Sequence, residues 1–126
     1  MESMNETLNL AKEINCEYVN FYAVMAYPGS KLYEDSIKKG LKLPDSWLGY
    51  AQLSKETTPL PNKYLTSEEI LAFRDKAFEE YYRNPEYIKM IEEKFGLEAV
   101  QHINMMLSHK IYRILLNKPI SVNKNN

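Results

Sequence analysis

The sequence predicts an α/β fragment that is mostly helical: one α–β–α slice of a parallel sheet, followed by a three-helix C-terminal unit. Residues 17–25 are largely apolar or aromatic on both alternating sides, which is typical of a strand covered on both faces. A Tyr-Pro-Gly-Ser turn at residues 27–30 then leads into a helical pattern. From residue 66 onward, apolar residues recur at helical spacing, which predicts the C-terminal unit.

The slice begins with a helix predicted over residues 5–15, where Ser3 and Glu6 stand at capping-box spacing. The strand predicted over residues 17–25 follows it. Because side chains alternate across a strand, two sets of residues point to opposite faces. One set is Val19, Phe21, Ala23 and Met25, and the other is Tyr18, Asn20, Tyr22 and Val24.

The turn after the strand carries the sharpest local signals. Pro28 fixes its own φ, and Gly29 reaches the positive φ that other residues avoid. Ser30 is a good N-cap for a helix over residues 31–39, and Gly40 can end that helix. Residues 1–40 are therefore interpreted as one β/α unit with a preceding helix. A single strand leaves both of its edges unpaired, so this unit needs strands from elsewhere.

Residues 41–65 show no sustained period and are rich in proline and aromatic side chains, which predicts a connecting loop. A loop of this length in a compact domain is typical of a lid or of a segment that covers another surface. Both interpretations stay open for Trp47, Tyr50 and Tyr64, with covering favoured.

The C-terminal unit is predicted over residues 66–118, with a disordered polar tail over residues 119–126. Thr66 and Glu69 have capping-box spacing at the start of its first helix. Pro85 suits the first turn of the second helix, and Gly96 closes that helix. The last helix is predicted over residues 97–117 and is stopped by Pro119.

Composition limits the function classes. The formal net charge is -1, so the chain as a whole does not resemble a nucleic-acid binder. Its C-terminal end is locally basic, which is ordinary near a helix C-terminus. No apolar run approaches the roughly 20 residues that span a bilayer, and the first residues lack the pattern of a secretory signal. We therefore expect a cytoplasmic protein that binds neither nucleic acid nor membrane.

Residues of the types that most often bind metals, cysteine and histidine, are few in this chain. One cysteine, Cys16, excludes an internal disulfide and a multi-cysteine metal site built by this chain alone, and we expect it to be a small buried side chain. His102 and His109 have no cysteine or carboxylate at ligand spacing. No metal site and no catalytic residue are predicted in the chain, and no serine or cysteine nucleophile stands with a plausible histidine partner.

A family resemblance enters through the turn. Residues 6–40, with Glu6-Thr7 opening a helix and Ala-Tyr-Pro-Gly-Ser at residues 26–30, resemble the last β/α unit of radical S-adenosylmethionine (SAM) enzymes. The likeness is strongest to the class with an N-terminal cobalamin-binding domain. Trp47, Tyr50, Leu60-Pro61 and residues 69–78 are similar to the C-terminal extension of those enzymes. The chain departs from the family at residues 26 and 30, where the family has proline and threonine.

The resemblance implies a C-terminal fragment: the last unit of a partial (β/α) barrel at residues 1–40, then a connecting loop and a helical extension. The parent family uses a [4Fe-4S] cluster and SAM, and in the cobalamin-binding class cobalamin as well. The chain lacks the three-cysteine cluster motif, so it is predicted to hold no cofactor and to be inactive alone. Its expected partner is an upstream radical SAM domain, or a second copy joined through exposed strand edges.

The resemblance also assigns the candidate site residues. In a complete barrel, the turn formed by Tyr27, Pro28, Gly29 and Ser30 would lie at the mouth, beside substrate or SAM. Asn20 and Tyr22 are the candidates for lining the barrel. The alternative is a free-standing helical protein-interaction module, in which helix stripes bind a partner or the strand adds to another sheet edge.

Overall fold

Helices make up the regular structure of the part of the chain that the computed structural model describes, residues 1–117. Five helices have two turns or more, and α3 is a single turn. Their bounds are α1 Glu2–Ile14, α2 Lys31–Lys38, α3 Trp47–Tyr50, α4 Ser67–Tyr82, α5 Pro85–Phe95 and α6 Leu97–Ser108.

The predicted α–β–α slice of a parallel barrel is wrong, because residues 1–117 contain no β-strand. Residues 16–27, which we call the extended segment, have no neighbouring strand with which to pair. Their backbone hydrogen bonds go mainly to side chains of α4, of α5 and of Gln52, which follows α3. Extended backbone becomes a strand only when another strand pairs with it, and no such partner lies within the described residues.

The helices pack into one unit centred on α4. α4 contacts α1, α5 and α6, and α5 and α6 also pack against each other. Leu8 from α1 and Leu107 from α6 reach the same buried cluster. The centre of that cluster is formed by Ala77, Tyr81, Tyr82, Tyr87 and Ile91.

Three tyrosines of this core form a mutually contacting group, which we call the tyrosine triad: Tyr81, Tyr82 and Tyr87. Their ring centroids lie 5.1 to 5.3 Å apart, and two of the three contacts are edge-to-face. Aromatic rings prefer this arrangement because the positive edge of one ring meets the negative face of another. All three residues are at most 1% exposed. Each buried hydroxyl must therefore find a hydrogen-bond partner, and that requirement positions the extended segment.

Most helix boundaries follow the local signals in the sequence. Ser30 Oγ accepts from the Tyr33 N–H at 3.1 Å, so the predicted N-cap of α2 is confirmed. Thr66 and Glu69 form the predicted reciprocal capping box of α4. Pro85 is the first residue of α5, and Gly96 ends that helix at a φ of 82°.

Two boundaries differ from the prediction. α1 begins at Glu2 rather than residue 5, and no side chain caps it, so the capping box of Ser3 and Glu6 is wrong. α6 ends at Ser108 and not at residue 117. Residues 109–117, which we call the return segment, run back to the loop after α3, where the Ile114 N–H donates to the Lys55 carbonyl at 2.9 Å. The predicted tail at residues 119–126 lies outside the described residues.

Candidate interaction site along the extended segment

The extended segment lies across the helical unit with one row of side chains buried against it and the other exposed. Ala23 and Met25 belong to the core, and Val19 and Phe21 pack against the buried cluster. The opposite row is open: Tyr18 is 71% exposed, Tyr22 63% and Val24 61%. The expectation that both faces are covered is therefore wrong for the described residues.

Backbone groups of successive residues in extended chain also alternate, between the two edges of the segment. We call the edge formed by residues 17, 19, 21 and 23 the inner edge. We call the edge formed by Tyr18, Asn20 and Tyr22 the free edge. The two edges meet different surroundings.

The tyrosine triad binds three of the four backbone groups in the first half of the inner edge. The Tyr82 hydroxyl donates to the Val19 carbonyl at 2.8 Å and accepts from the Val19 N–H at 3.0 Å. The Tyr87 hydroxyl donates to the Glu17 carbonyl at 3.0 Å. The Tyr81 hydroxyl donates to the carbonyl of the preceding residue, Cys16, at 2.5 Å.

Burial raises the pKa of all three tyrosines, to about 12 for Tyr81. Water no longer stabilises the phenolate, so each hydroxyl keeps its proton. A protonated hydroxyl is the form that can donate to a backbone carbonyl. The raised pKa values and the hydrogen bonds to the extended segment therefore have the same cause.

Gln52 and Arg74 bind three of the four backbone groups in the second half of the inner edge. Gln52 Oε1 accepts from the Ala23 N–H at 3.0 Å, and its Nε2 donates to the Ala23 carbonyl at 2.8 Å. These two bonds have the pattern that a neighbouring antiparallel residue would supply. Arg74 Nε donates to the Phe21 carbonyl at 2.9 Å, and this guanidinium is only 7% exposed.

The free edge is different. Among residues 1–117, no hydrogen bond from the protein reaches the N–H or carbonyl of Tyr18, Asn20 or Tyr22. Pairing on this edge begins only at Val24, whose carbonyl accepts from the Leu60 N–H at 2.9 Å. Three consecutive pairing positions are therefore presented to an additional strand.

A groove of about 600 Å³ lies beside this part of the segment. Its walls come from residues 20–24, from Met4 and Thr7 of α1, and from the loop at residues 60–62. Its remaining lining comes from α4: Ile70, Phe73, Arg74 and Ala77. The groove is bounded by residues that contact both edges of the segment: Leu60 donates to the Val24 carbonyl, and Arg74 donates to the Phe21 carbonyl. An extended chain placed there would bring its inward side chains against apolar groups of α4.

The residues predicted to form a site lie in two different places in the structure. Asn20 and Tyr22 lie on the free edge and line the groove. The turn lies outside the groove: Tyr27 is 48% exposed, with its ring centroid 6.3 Å from that of Tyr50, and Gly29 has a φ of 86°. The position of this turn beside a substrate stays a prediction.

Sequence reasoning missed the residues that hold the inner edge, Tyr82, Tyr87, Gln52 and Arg74. Tyr82 and Arg74 follow Tyr81 and Phe73 directly, so they lie one position away from the apolar residues whose helical spacing predicted α4. The signal was a cluster of tyrosines on two consecutive helices, because buried hydroxyls seek backbone partners. Cys16 was also misjudged: the thiol is exposed and not buried.

The described residues show no sign of a metal centre or a membrane span. Within residues 1–117, no three His, Cys, Asp or Glu side chains lie close enough together to hold an ion. In the same part of the chain, no helix has the length and apolar character needed to cross a bilayer.

Comparison with known proteins gives one relative of limited coverage. Over 107 residues the chain is 31% identical to an uncharacterized methyltransferase of Pyrococcus horikoshii, which covers 84% of this chain. The matched part is 23% of the relative, so the chain spans about a quarter of that protein's length. No family model and no solved structure matches the chain.

These findings correct the family assignment. The similarity found is to an uncharacterized methyltransferase, and the residues assigned to the last barrel strand pair with no other strand among residues 1–117. The prediction of a radical SAM fragment with a partial barrel is therefore wrong.

Proposed function

We propose that this chain is a protein-interaction module that binds an extended segment of a partner along its free edge. The observation that carries the proposal is the difference between the two edges of residues 17–23. On the inner edge, side chains bind both backbone groups of Val19 and Ala23 and the carbonyls of Glu17 and Phe21. The free edge offers the N–H and carbonyl groups of three residues beside an apolar groove.

Strand addition uses such an edge. Main-chain hydrogen bonds supply affinity, and pockets for alternate side chains supply specificity. An exposed, uncharged edge is otherwise a hazard, and proteins usually protect it with charge, proline or a covering element. Residues 18–30 carry no charged side chain. A bound partner would provide the missing protection.

The partner we propose is the remainder of a larger, methyltransferase-related protein. The Pyrococcus horikoshii relative is described as an uncharacterized methyltransferase and is about four times as long as the part that matches this chain. A module of this kind would attach to the catalytic body and would carry no cofactor of its own. We place it in the cytoplasm, because a lone exposed thiol such as Cys16 suits a reducing compartment.

Peptides offer a direct test. Overlapping ten-residue peptides would be tiled across the Pyrococcus horikoshii relative, outside the section that matches this chain, and their binding measured by fluorescence polarisation. We expect a small set of peptides with alternating apolar residues to bind. N-methylation of every second residue should abolish binding in one register and leave it in the other, because only one edge of the peptide faces the free edge.

The chain offers a matched variant. Asn20→Pro removes one N–H of the free edge and should weaken the best peptide at least tenfold, while circular dichroism shows that the helices remain. If no tiled peptide binds better than its scrambled version, or if both methylation registers bind equally, the proposal is wrong. A dimer in light scattering that Asn20→Pro dissociates would assign the free edge to a second copy instead.

A further inference from the structure

Arg113 of the return segment makes the most extensive set of contacts of any charged residue in the described part of the chain. It is 2% exposed. Its Nε and Nη2 atoms donate to the two carboxylate oxygens of Asp75 at 2.9 and 2.8 Å. Its Nη1 donates to the carbonyls of Gln52 and Ser54 at 3.2 and 2.7 Å and to Thr57 Oγ1 at 2.9 Å.

This guanidinium fixes the residues that hold the inner edge. Gln52 is bound by Arg113 through its backbone carbonyl and binds Ala23 through its side chain. Arg74 shares the carboxylate of Asp75 with Arg113, at 2.9 Å, and binds the Phe21 carbonyl. Two routes therefore connect one buried guanidinium with two successive positions of the inner edge.

The charges of Arg113, Arg74 and Asp75 explain why these guanidinium groups also bind backbone carbonyls. Two buried guanidinium groups share one carboxylate, so one positive charge is left over. Backbone carbonyls have to compensate that charge, because an unpaired buried charge is very costly. The carbonyls of Phe21, Gln52 and Ser54 supply the compensation. Buried ion pairs contribute little net stability compared with apolar packing, so a role in fixing geometry accounts better for this cluster.

We propose that Arg113 is a positioning residue for partner binding: it fixes Gln52 and Arg74 and thereby the register in which residues 21–23 present the free edge. This inference rests on the proposed function for its binding consequence. The claim that Arg113 fixes Gln52 and Arg74 at the inner edge does not depend on the proposed function. Linkage then requires that an occupied free edge also tightens the return segment.

Amide exchange and peptide affinity test the two parts separately. In Arg113→Met we expect the Ala23 N–H to exchange at least tenfold faster, while the Val19 N–H, which Tyr82 holds, keeps its rate. The best tiled peptide should bind at least tenfold more weakly, at a temperature where the variant is fully folded. Arg113→Lys keeps the charge and part of the donor set, so it should recover part of both effects.

Two further variants separate positioning from general stability. Gln52→Met interrupts one route without touching Arg113 and should reproduce the effects at Ala23, so the test stands even if Arg113→Met fails to fold. Ile91→Ala removes a buried side chain of α5 that does not line the pocket around Arg113 and Asp75, and it should lower the melting temperature without a loss of peptide affinity.

The outcomes distinguish the two proposals. If Arg113→Met and Gln52→Met bind the peptide as the unmodified chain does, Arg113 is not a positioning residue for binding. If the Ala23 exchange rate does not change in either variant, the connection to the inner edge is also wrong. If exchange accelerates but the unmodified chain binds no peptide, the proposed function fails and Arg113 positions only the inner edge.

Discussion

The inner edge and the free edge of the extended segment both carry backbone N–H and carbonyl groups, but the protein binds those groups on the inner edge only. Tyrosine, glutamine and arginine side chains from four places in the chain bind the inner edge, at all four carbonyls and at the N–H groups of Val19 and Ala23. Over residues 18–22 the free edge receives no hydrogen bond from the described part of the protein. The difference teaches that side chains can replace a neighbouring strand on one side of an extended segment, and that doing so leaves the other side available.

The largest expected effect is a difference in the free energy of unfolding between two tyrosine variants. Tyr87 binds the inner edge, and Tyr22 lies on the exposed face of the extended segment. Tyr87→Ala removes a completely buried ring and the bond to Glu17, and it should lower the free energy of unfolding by about 3–5 kcal/mol. Tyr22→Ala removes a ring that is 63% exposed and should change the free energy of unfolding by less than about 0.5 kcal/mol.

Urea unfolding of both variants measures this difference. Equal slopes against urea concentration would show that the unfolding reaction itself is unchanged. Similar losses for Tyr87→Ala and Tyr22→Ala would mean that the open face is buried in the isolated chain. That result would contradict the assignment of a free edge.

An intermediate effect isolates the hydroxyl groups. Tyr82→Phe keeps the ring in the triad but deletes both bonds to Val19, which leaves a donor and an acceptor unsatisfied. The expected loss is about 1–3 kcal/mol, with faster exchange of the Val19 N–H. Tyr18→Phe deletes an exposed hydroxyl and is the matched control. If thermal melts of the two variants coincide, the hydroxyl does not hold the inner edge.

The smallest expected effect appears at acid pH. Burial on its own would raise the pKa of Asp75, but hydrogen bonds from Arg113 and Arg74 outweigh burial and hold the pKa below its usual value. A lowered pKa means that the folded state favours the carboxylate. The corresponding stability is complete above the unfolded-state pKa of about 3.9 and decreases as the pH falls through the folded-state pKa.

Melting temperatures between pH 6 and pH 2.5 measure this contribution. Asp75→Asn should have a lower melting temperature at pH 6 and a shallower decrease below pH 4 than the unmodified chain. Parallel curves would show that Asp75 does not couple protons to folding, and the guanidinium cluster would then need another explanation. Glu68→Gln, at an exposed position, is the control.

The sequence correctly predicted the features that depend only on neighbouring residues in the chain. The N-cap at Ser30, the capping box at Thr66 and the start of α5 at Pro85 each need only neighbouring residues, and each was correct. The extended backbone of residues 17–25 was also indicated by its residue types. Whether such backbone becomes a strand depends on a distant partner, which no local pattern contains.

Long-range contacts account for the errors. Arg113 was one of several basic residues near the C-terminus that were interpreted as ordinary for a helix C-terminus, because nothing local reveals that Asp75, 38 residues earlier, lies within bonding distance. The end of α6 was missed for the same reason, since the return segment leaves the helical path to reach the loop after α3. Among the site residues, Asn20 and Tyr22 were identified, but as barrel-lining residues and not as a pairing edge.

The tyrosine triad has a consequence for the order of folding. The bonds that hold Glu17 and Val19 close loops of 70 and 63 residues, so they can form only after the chain as far as Tyr87 and Tyr82, respectively, has been made. During synthesis the extended segment leaves the ribosome long before Tyr87 does, with no charged side chain between residues 18 and 30. For that interval both of its edges are open, so this segment is where a nascent chain would be most exposed to aggregation or to chaperone binding.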